Sequence, residues 1–250
     1  MEQRTDEWFQ ARLGKVTASR IGDVMAKTKT GYSASRTNYM AQLVVERLTN
    51  RKEESYTNAA MQWGTDTEPL ARSAYEVAKD VLVQEVGFID HPEINMSGAS
   101  PDGLVGDDGM VEIKCPNTAT HIETLLNETV DSKYQYQMLW QMRCAGRKWC
   151  DFVSFDPRMP EELQLKVIRF EYDQGTIDQI EIDYSIAMED SSILTQDGWK
   201  LADQDGFIIM EGQFDDANQH ALESNEEFDL EADGIVDWTQ RDPFSEDIAI

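Results

Sequence analysis

Apolar residues recur at helical spacing through the first third of the chain. Thr17-Ala18-Ser19 ahead of RIGDVMAK reads as a cap opening a short helix, and Ser35 opens a longer one whose stripe runs through Tyr39, Leu43, Val44 and Leu48. Residues 59–78 are also helical: Gly64, Glu68, Ala71, Tyr75 and Ala78 follow at spacings of four and three and share one face. Glu68 is therefore an acid within a small, apolar stripe. The period then shortens. Residues 81–89 read as a strand, and Leu104-Val105, a Gly106-Asp107-Asp108-Gly109 turn and residues 110–115 read as a hairpin. Helical spacing returns over residues 121–126 and 133–143. A strand with Phe152, Val153 and Phe155 follows, then another over residues 163–172 and a helix through Ile177, Ile180, Tyr184 and Ala187. Helices first, strands in the centre and helices between later strands predict an α/β fold, a mixed sheet flanked by helices. No internal repeat is visible.

Beyond residue 190 the periodicity degrades. Residues 191–250 hold 16 acids and 2 bases around isolated apolar clusters at residues 207–210, Phe228, Ile235-Val236-Trp238 and Phe244. This composition predicts a folded domain over 1–190 and a largely disordered acidic extension over 191–250 with short sticky segments. The extension accounts for most of the charge imbalance, 22 Lys and Arg against 48 Asp and Glu for a net of -26. Nucleic-acid binding through overall positive charge is thus disfavoured, and any DNA contact must be local. The first 36 residues reverse the sign, with seven bases against four acids. They offer a phosphate-facing surface or ordinary charge on helix surfaces. No run of 18 apolar residues occurs, and MEQRTDEWFQARLGK lacks the basic-then-apolar pattern of a signal peptide, so a soluble, cytoplasmic protein without membrane contact is expected. Cys115, Cys144 and Cys150 form no CxxC pair, and His91, His121 and His220 are too scattered for a local metal motif.

The chemistry concentrates in Ser100-Pro101-Asp102-Gly103 and Glu112-Ile113-Lys114. Side chains alternate along a strand, so Glu112 and Lys114 share a face while Ile113 points into the core and leaves its carbonyl near that face. Asp102 starts the partner strand. Two carboxylates and a carbonyl oxygen suit a hard divalent cation such as Mg2+, and an adjacent ammonium can stabilise charge on a phosphate or help deprotonate a bound water. An ordinary cross-strand salt bridge is the alternative. Asp131-Ser132-Lys133 repeats the acid–lysine spacing in a polar run entering a helix, without an upstream Asp-Gly hairpin, and reads as solvated surface. Glu68 needs a partner on its apolar stripe, and the cation site would supply one.

These residues, with Trp8, Arg12-Leu13-Gly14, Thr17-Ala18-Ser19, Trp63-Gly64, Glu112-Ile113-Lys114-Cys115-Pro116, Tyr134, Gln137 and Asp156-Pro157-Arg158-Met159, resemble the lambda-exonuclease-like (YqaJ-type) viral recombinase nucleases of the PD-(D/E)xK class. The resemblance implies a restriction-endonuclease-like fold and a Mg2+-dependent nuclease, Mn2+ substituting. Such an enzyme digests one strand of duplex DNA from the 5' end, leaving a 3' overhang for phage-type recombination in a bacterial host. It also implies a homotrimer and a single-strand annealing protein as partner. Asp102, Glu112 and the Ile113 carbonyl would bind metal with Glu68 contributing, Lys114 would be the catalytic lysine, and Gln137 would lie in the active site. Arg12, Ser19 and Ser100 would cradle the terminal 5' phosphate. A helix opened by Ser19 is a sensible anion site and Arg12 can clamp phosphate. A surface salt bridge for Arg12 and a helix cap for Ser19 are the alternatives. The second glutamine that the family often has two residues on is here Leu139. An endonuclease on the same scaffold and a non-catalytic DNA-end-binding protein are the competing functions.

Overall fold

A computed structural model describes residues 1–29, 31–52 and 58–190, with two short strands, Leu194–Thr195 and Gly198–Trp199, that pair antiparallel. The chain divides into two units, residues 1–193 and 194–250. Apart from those two strands, the acidic extension and its apolar clusters lie outside the described residues.

The first unit runs α1 (Asp6–Arg12), β1 (Val16–Thr17), a 3-10 turn (Ala18–Arg20), α2 (Ile21–Met25), β2 (Lys27–Thr28), β3 (Gly31–Tyr32), α3 (Ala34–Thr49) and α4 (Ala59–Lys79). There follow β4 (Val83–Gln84), β5 (Ile89–Asp90), β6 (Ser97–Ala99), β7 (Gly103–Val105), β8 (Gly109–Lys114), α5 (Thr118–Asn127), α6 (Ser132–Ala145), β9 (Trp149–Phe155), β10 (Leu165–Glu171) and α7 (Gln174–Asp190). Five strands form a sheet in the order β10-β9-β8-β7-β4, mixed because β8 and β9 are parallel while the other pairs are antiparallel. A parallel pair needs a long connection, and α5 and α6 supply it. A smaller sheet has the order β1-β6-β5. The expected mixed α/β architecture is present, and the hairpin of β7 and β8 turns through residues 106–108 as its glycines and aspartates predict.

Alternation along β8 decides which side of the sheet receives each residue. Val111 and Ile113 pack with Ala71 and Tyr75 of α4, whereas Met110 joins the larger core containing α6. Glu112 and Lys114 share the side of Met110. Helix α6 is buried from Gln137 to Met142, with Met138, Leu139, Trp140 and Met142 among the buried residues, as suits a helix enclosed on several sides. Truncating Met138 to Ala there would cost about 2–5 kcal/mol. On the opposite face, Tyr75 of α4 donates to Asp151 of β9 at 2.8 Å, and Arg169 of β10 grips the same carboxylate at 2.8 and 2.9 Å. That buried carboxylate fixes α4 to two strands. Among the described residues, no helix is long and apolar enough to cross a membrane.

Two local expectations are corrected. Residues 81–89 are not one strand: β4 and β5 belong to different sheets, and the chain passes between them at Gly87, where a Cβ would meet the Met1 carbonyl oxygen at 2.5 Å. Thr17-Ala18-Ser19 does not cap a helix either. Thr17 is registered against Gly98 in a ladder, so the chain enters α2 through a 3-10 turn that holds Ser19, and α2 starts after Arg20 without a side-chain cap.

Candidate active site

The β7–β8 hairpin brings the two candidate acids together. Asp102, just before β7, accepts the Ile113 backbone N–H on Oδ2 at 2.6 Å, which locks the aspartate beside the strand carrying Glu112. Glu112 is buried, and its carboxylate has three donors: the Lys114 ammonium and the Gln137 amide (2.6 Å) on Oε1, and the Gln141 amide (2.8 Å) on Oε2. Gln137 and Gln141 stand one turn apart on the same face of α6. Burial, reinforced by the Glu112 charge, pushes Asp102 above the usual carboxylate range, with Lys114 opposing. Burial also works against the Lys114 charge, but Glu112 and Asp102 outweigh it and hold the ammonium's proton more tightly than usual.

Two carboxylates this close repel each other, and one ammonium does not neutralise both. A divalent cation would. Among the described residues there is no group of three or more His, Cys, Asp and Glu arranged for a metal, and the donors a cation would find are Asp102, Glu112 and the Ile113 carbonyl. All are hard oxygen ligands, which fits Mg2+ rather than zinc. Glu68 has other partners. It pairs with Arg4 at 2.7 Å and with Arg72 at 2.9 Å, although its charge is close enough to contribute to raising Asp102. The acid on the apolar stripe thus finds guanidinium partners.

Arg12 meets the second candidate phosphate residue, Ser100. Its hydroxyl oxygen accepts from Trp8 Nε1 at 2.9 Å and from Arg12 at 3.2 Å, so the Ser100 O–H is left to donate outward. The Arg12 guanidinium lies 4.0 Å from the Trp8 ring centroid, and among the described residues it makes no ion pair with a carboxylate. Burial lowers its hold on its proton, against the pull of Tyr39 and Glu46, a cost that a bound anion would offset. Arg12 and Ser19 line a cleft of about 340 Å³ with Lys15, Arg20 and Lys52. Ser19 contacts the Thr17 hydroxyl at 3.3 Å. A second cleft of about 350 Å³ opens beside Lys114, between α5 and the start of α6.

Sequence reasoning placed Asp102, Glu112, Ile113, Lys114 and Gln137 in one centre, and Arg12, Ser19 and Ser100 near one another. It missed Gln141, Trp8's bond to Ser100, and Gln3, whose amide donates to the carbonyls of Val86 and Pro101 at 2.8 Å each and so braces the Asp102 loop. Gln141 had a readable signal, an amide four residues after Gln137 within the run Met138-Leu139-Trp140 and Met142. The Asp156-Pro157-Arg158-Met159 motif is structural here. Asp156 accepts from Thr118, from the Arg158 backbone and from its guanidinium, which lies 4.5 Å from the Trp63 ring centroid. His121 is buried and satisfied by Ser154 and the Leu163 carbonyl, away from ligand chemistry.

Comparison with known proteins adds a lineage to this geometry. Residues 7–148 match the YqaJ-like viral recombinase domain. The alkaline exonuclease LHK-Exo from Laribacter hongkongensis is similar at 54% identity, with a TM-score of 0.70 over 74% of this chain and 91% of that one. The same values hold for its structure in complex with dAMP. A phage-related exonuclease from Haemophilus somnus 129PT shares the fold at 15% identity, with a TM-score of 0.59 over 70% of this chain and 92% of the other. No curated protein matches.

Proposed function

The chain belongs to the YqaJ-like viral recombinase domain family, and from that premise we propose that it is a Mg2+-dependent exonuclease. On this reading it digests one strand of linear double-stranded DNA from the 5' end and leaves a 3' single-stranded overhang for recombination. The observation that carries the proposal is the buried Glu112 carboxylate, held by Lys114, Gln137 and Gln141 beside Asp102. Similarity to an alkaline exonuclease over most of both chains supports DNA hydrolysis as the chemistry.

Asp102, Glu112 and the Ile113 carbonyl would hold the metal, with Glu68 in reach to contribute only if it gives up its arginines. When bound, Mg2+ supplies Lewis-acid stabilisation of the phosphate and activation of water. Lys114, beside the two carboxylates, offsets negative charge developing on the scissile phosphate. Gln137 keeps Glu112 oriented. Arg12 and Ser19, in a cleft where bases outnumber acids, a local reversal of the chain's net charge, receive the terminal phosphate with Ser100, which Arg12 contacts. That arrangement favours end recognition over internal cleavage, and a mononucleotide of the class bound by LHK-Exo would be the product.

A labelled linear duplex and a closed circle, each with Mg2+ and with EDTA, test this. Stepwise loss of the 5' strand from the linear substrate alone, abolished by EDTA, is expected. Cutting of the circle would make it an endonuclease, and binding without hydrolysis a DNA-end-binding protein. The same reading carries a homotrimer and a single-strand annealing protein as partners. Light scattering that returns monomer alone removes the trimer.

A further inference from the structure

The two oxygens of Glu112 are secured differently. Oε1 receives both Lys114 and Gln137, while Oε2 receives, among the described residues, Gln141 alone at 2.8 Å. A carboxylate only accepts, so the Gln141 amide must turn its NH2 toward Glu112 and its carbonyl oxygen away. That oxygen is buried without a partner. Helix α6 gives the amide little freedom. Trp140 and Met142 on either side are fully buried, and the Trp140 indole is tied to Ser97 at 3.1 Å.

We infer that Gln141 is a positioning residue of the cation site, fixing the plane of the Glu112 carboxylate. The inference rests on the metal-dependent reading above. The last torsion of a glutamate is broad, and rotation about it moves both oxygens. Lys114 and Gln137 restrain that rotation at Oε1 alone. Gln141 adds the second restraint, at Oε2 on the other side of the axis, and narrows the plane further. Leu139, buried and apolar two residues after Gln137, cannot supply the second amide; Gln141, a full turn from Gln137, does. Stability alone does not account for the arrangement, since an apolar side chain at 141 facing an apolar one at 112 would fill the same space with no buried amide oxygen left unpaired.

Gln141→Met keeps the bulk of the side chain and removes the donor. Calorimetric titration of the intact protein with Mg2+ should show binding weakened about tenfold, within the range seen when groups supporting metal ligands are lost. On linear duplex, kcat should fall by about tenfold to a hundredfold while KM for DNA stays within about twofold. Met142→Leu, next along the same core helix, should change neither. If the Met variant does not fold, as judged by its circular dichroism melt, Gln141→Asn, whose amide is one methylene too short to reach Oε2, undergoes the same two measurements with the same expectation. Wild-type Mg2+ affinity and kcat in whichever variant folds would overturn the role of Gln141. A wild-type protein that neither binds Mg2+ nor cleaves DNA would instead remove the nuclease reading.

Discussion

Asp131 and Lys133 repeat the spacing of Glu112 and Lys114 with none of the same surroundings. Asp131 caps α6 by accepting the Lys133 backbone N–H at 3.0 Å, and both side chains are exposed. Because asparagine caps a helix as well as aspartate does, Asp131→Asn should leave activity and stability within measurement error. Asp102→Asn, Glu112→Gln or Lys114→Ala should each cut hydrolysis by roughly a thousandfold or more, since on the proposed function each removes a cation ligand or the charge facing the phosphate. Single-turnover rates on a labelled duplex, with a melt to confirm folding, separate the two sets. Arg12→Ala should leave the chemistry in place and erase any preference for a 5'-phosphorylated end over a 5'-hydroxyl end; equal wild-type rates on the two ends would remove that role. At this scale the motif residues were legible because strand alternation dictates that Glu112 and Lys114 share a face. Glu68 was half legible: its need for a partner could be read, but Arg4 lies 64 residues away and no local pattern announces it.

Between elements, two buried carboxylates act as rivets. Asp156 joins the end of β9 to the start of α5 through Thr118 and to Arg158, whose hydrogen bonds, ahead of that from Thr118, hold its carboxyl down at about 2 against an ordinary 3.8. The folded value lies below the unfolded one, so this stabilisation is complete above about pH 4 and is lost as the pH falls toward 2. Asp156→Asn should therefore cost about 2 kcal/mol at neutral pH, the typical worth of hydrogen bonds to a charged group, and the gap from wild type should close through that acid window in urea melts. Asp151 rivets α4 to the sheet, and Tyr75→Phe should cost about 1–3 kcal/mol by leaving a buried acceptor short of a donor. Long elements such as α4 and β9 were readable from periodicity. Residues 81–89 were not, because alternation along a chain does not reveal that its two ends join different sheets. The cap assigned to Ser19 failed similarly, since pairing of Thr17 with a strand some 80 residues on decides how that segment turns.

For the whole molecule, the charge is distributed against its proposed substrate: residues 191–250 hold 16 of the 48 acids and would repel DNA near a basic cleft. Truncation after Asp190 should leave nuclease activity intact. Lost co-purification with an annealing protein would mark the segment as a docking site, tighter DNA binding at low salt would mark it as a shield, and neither result would leave it a solubilising tail. An inactive truncated protein would move the domain boundary. The segment's composition was legible while any partner was not, because apolar residues scattered among acids do not specify what they meet. The parallel pairing of β8 with β9 has a kinetic consequence. The β7–β8 hairpin closes over a few residues and can form within microseconds, yet Gln137 and Gln141 reach Glu112 only after α5 and α6 have crossed the sheet, a longer loop to close. In a refolding experiment, helical signal should therefore return well before cleavage does, and the interval between the two is the time the chain takes to complete that crossing.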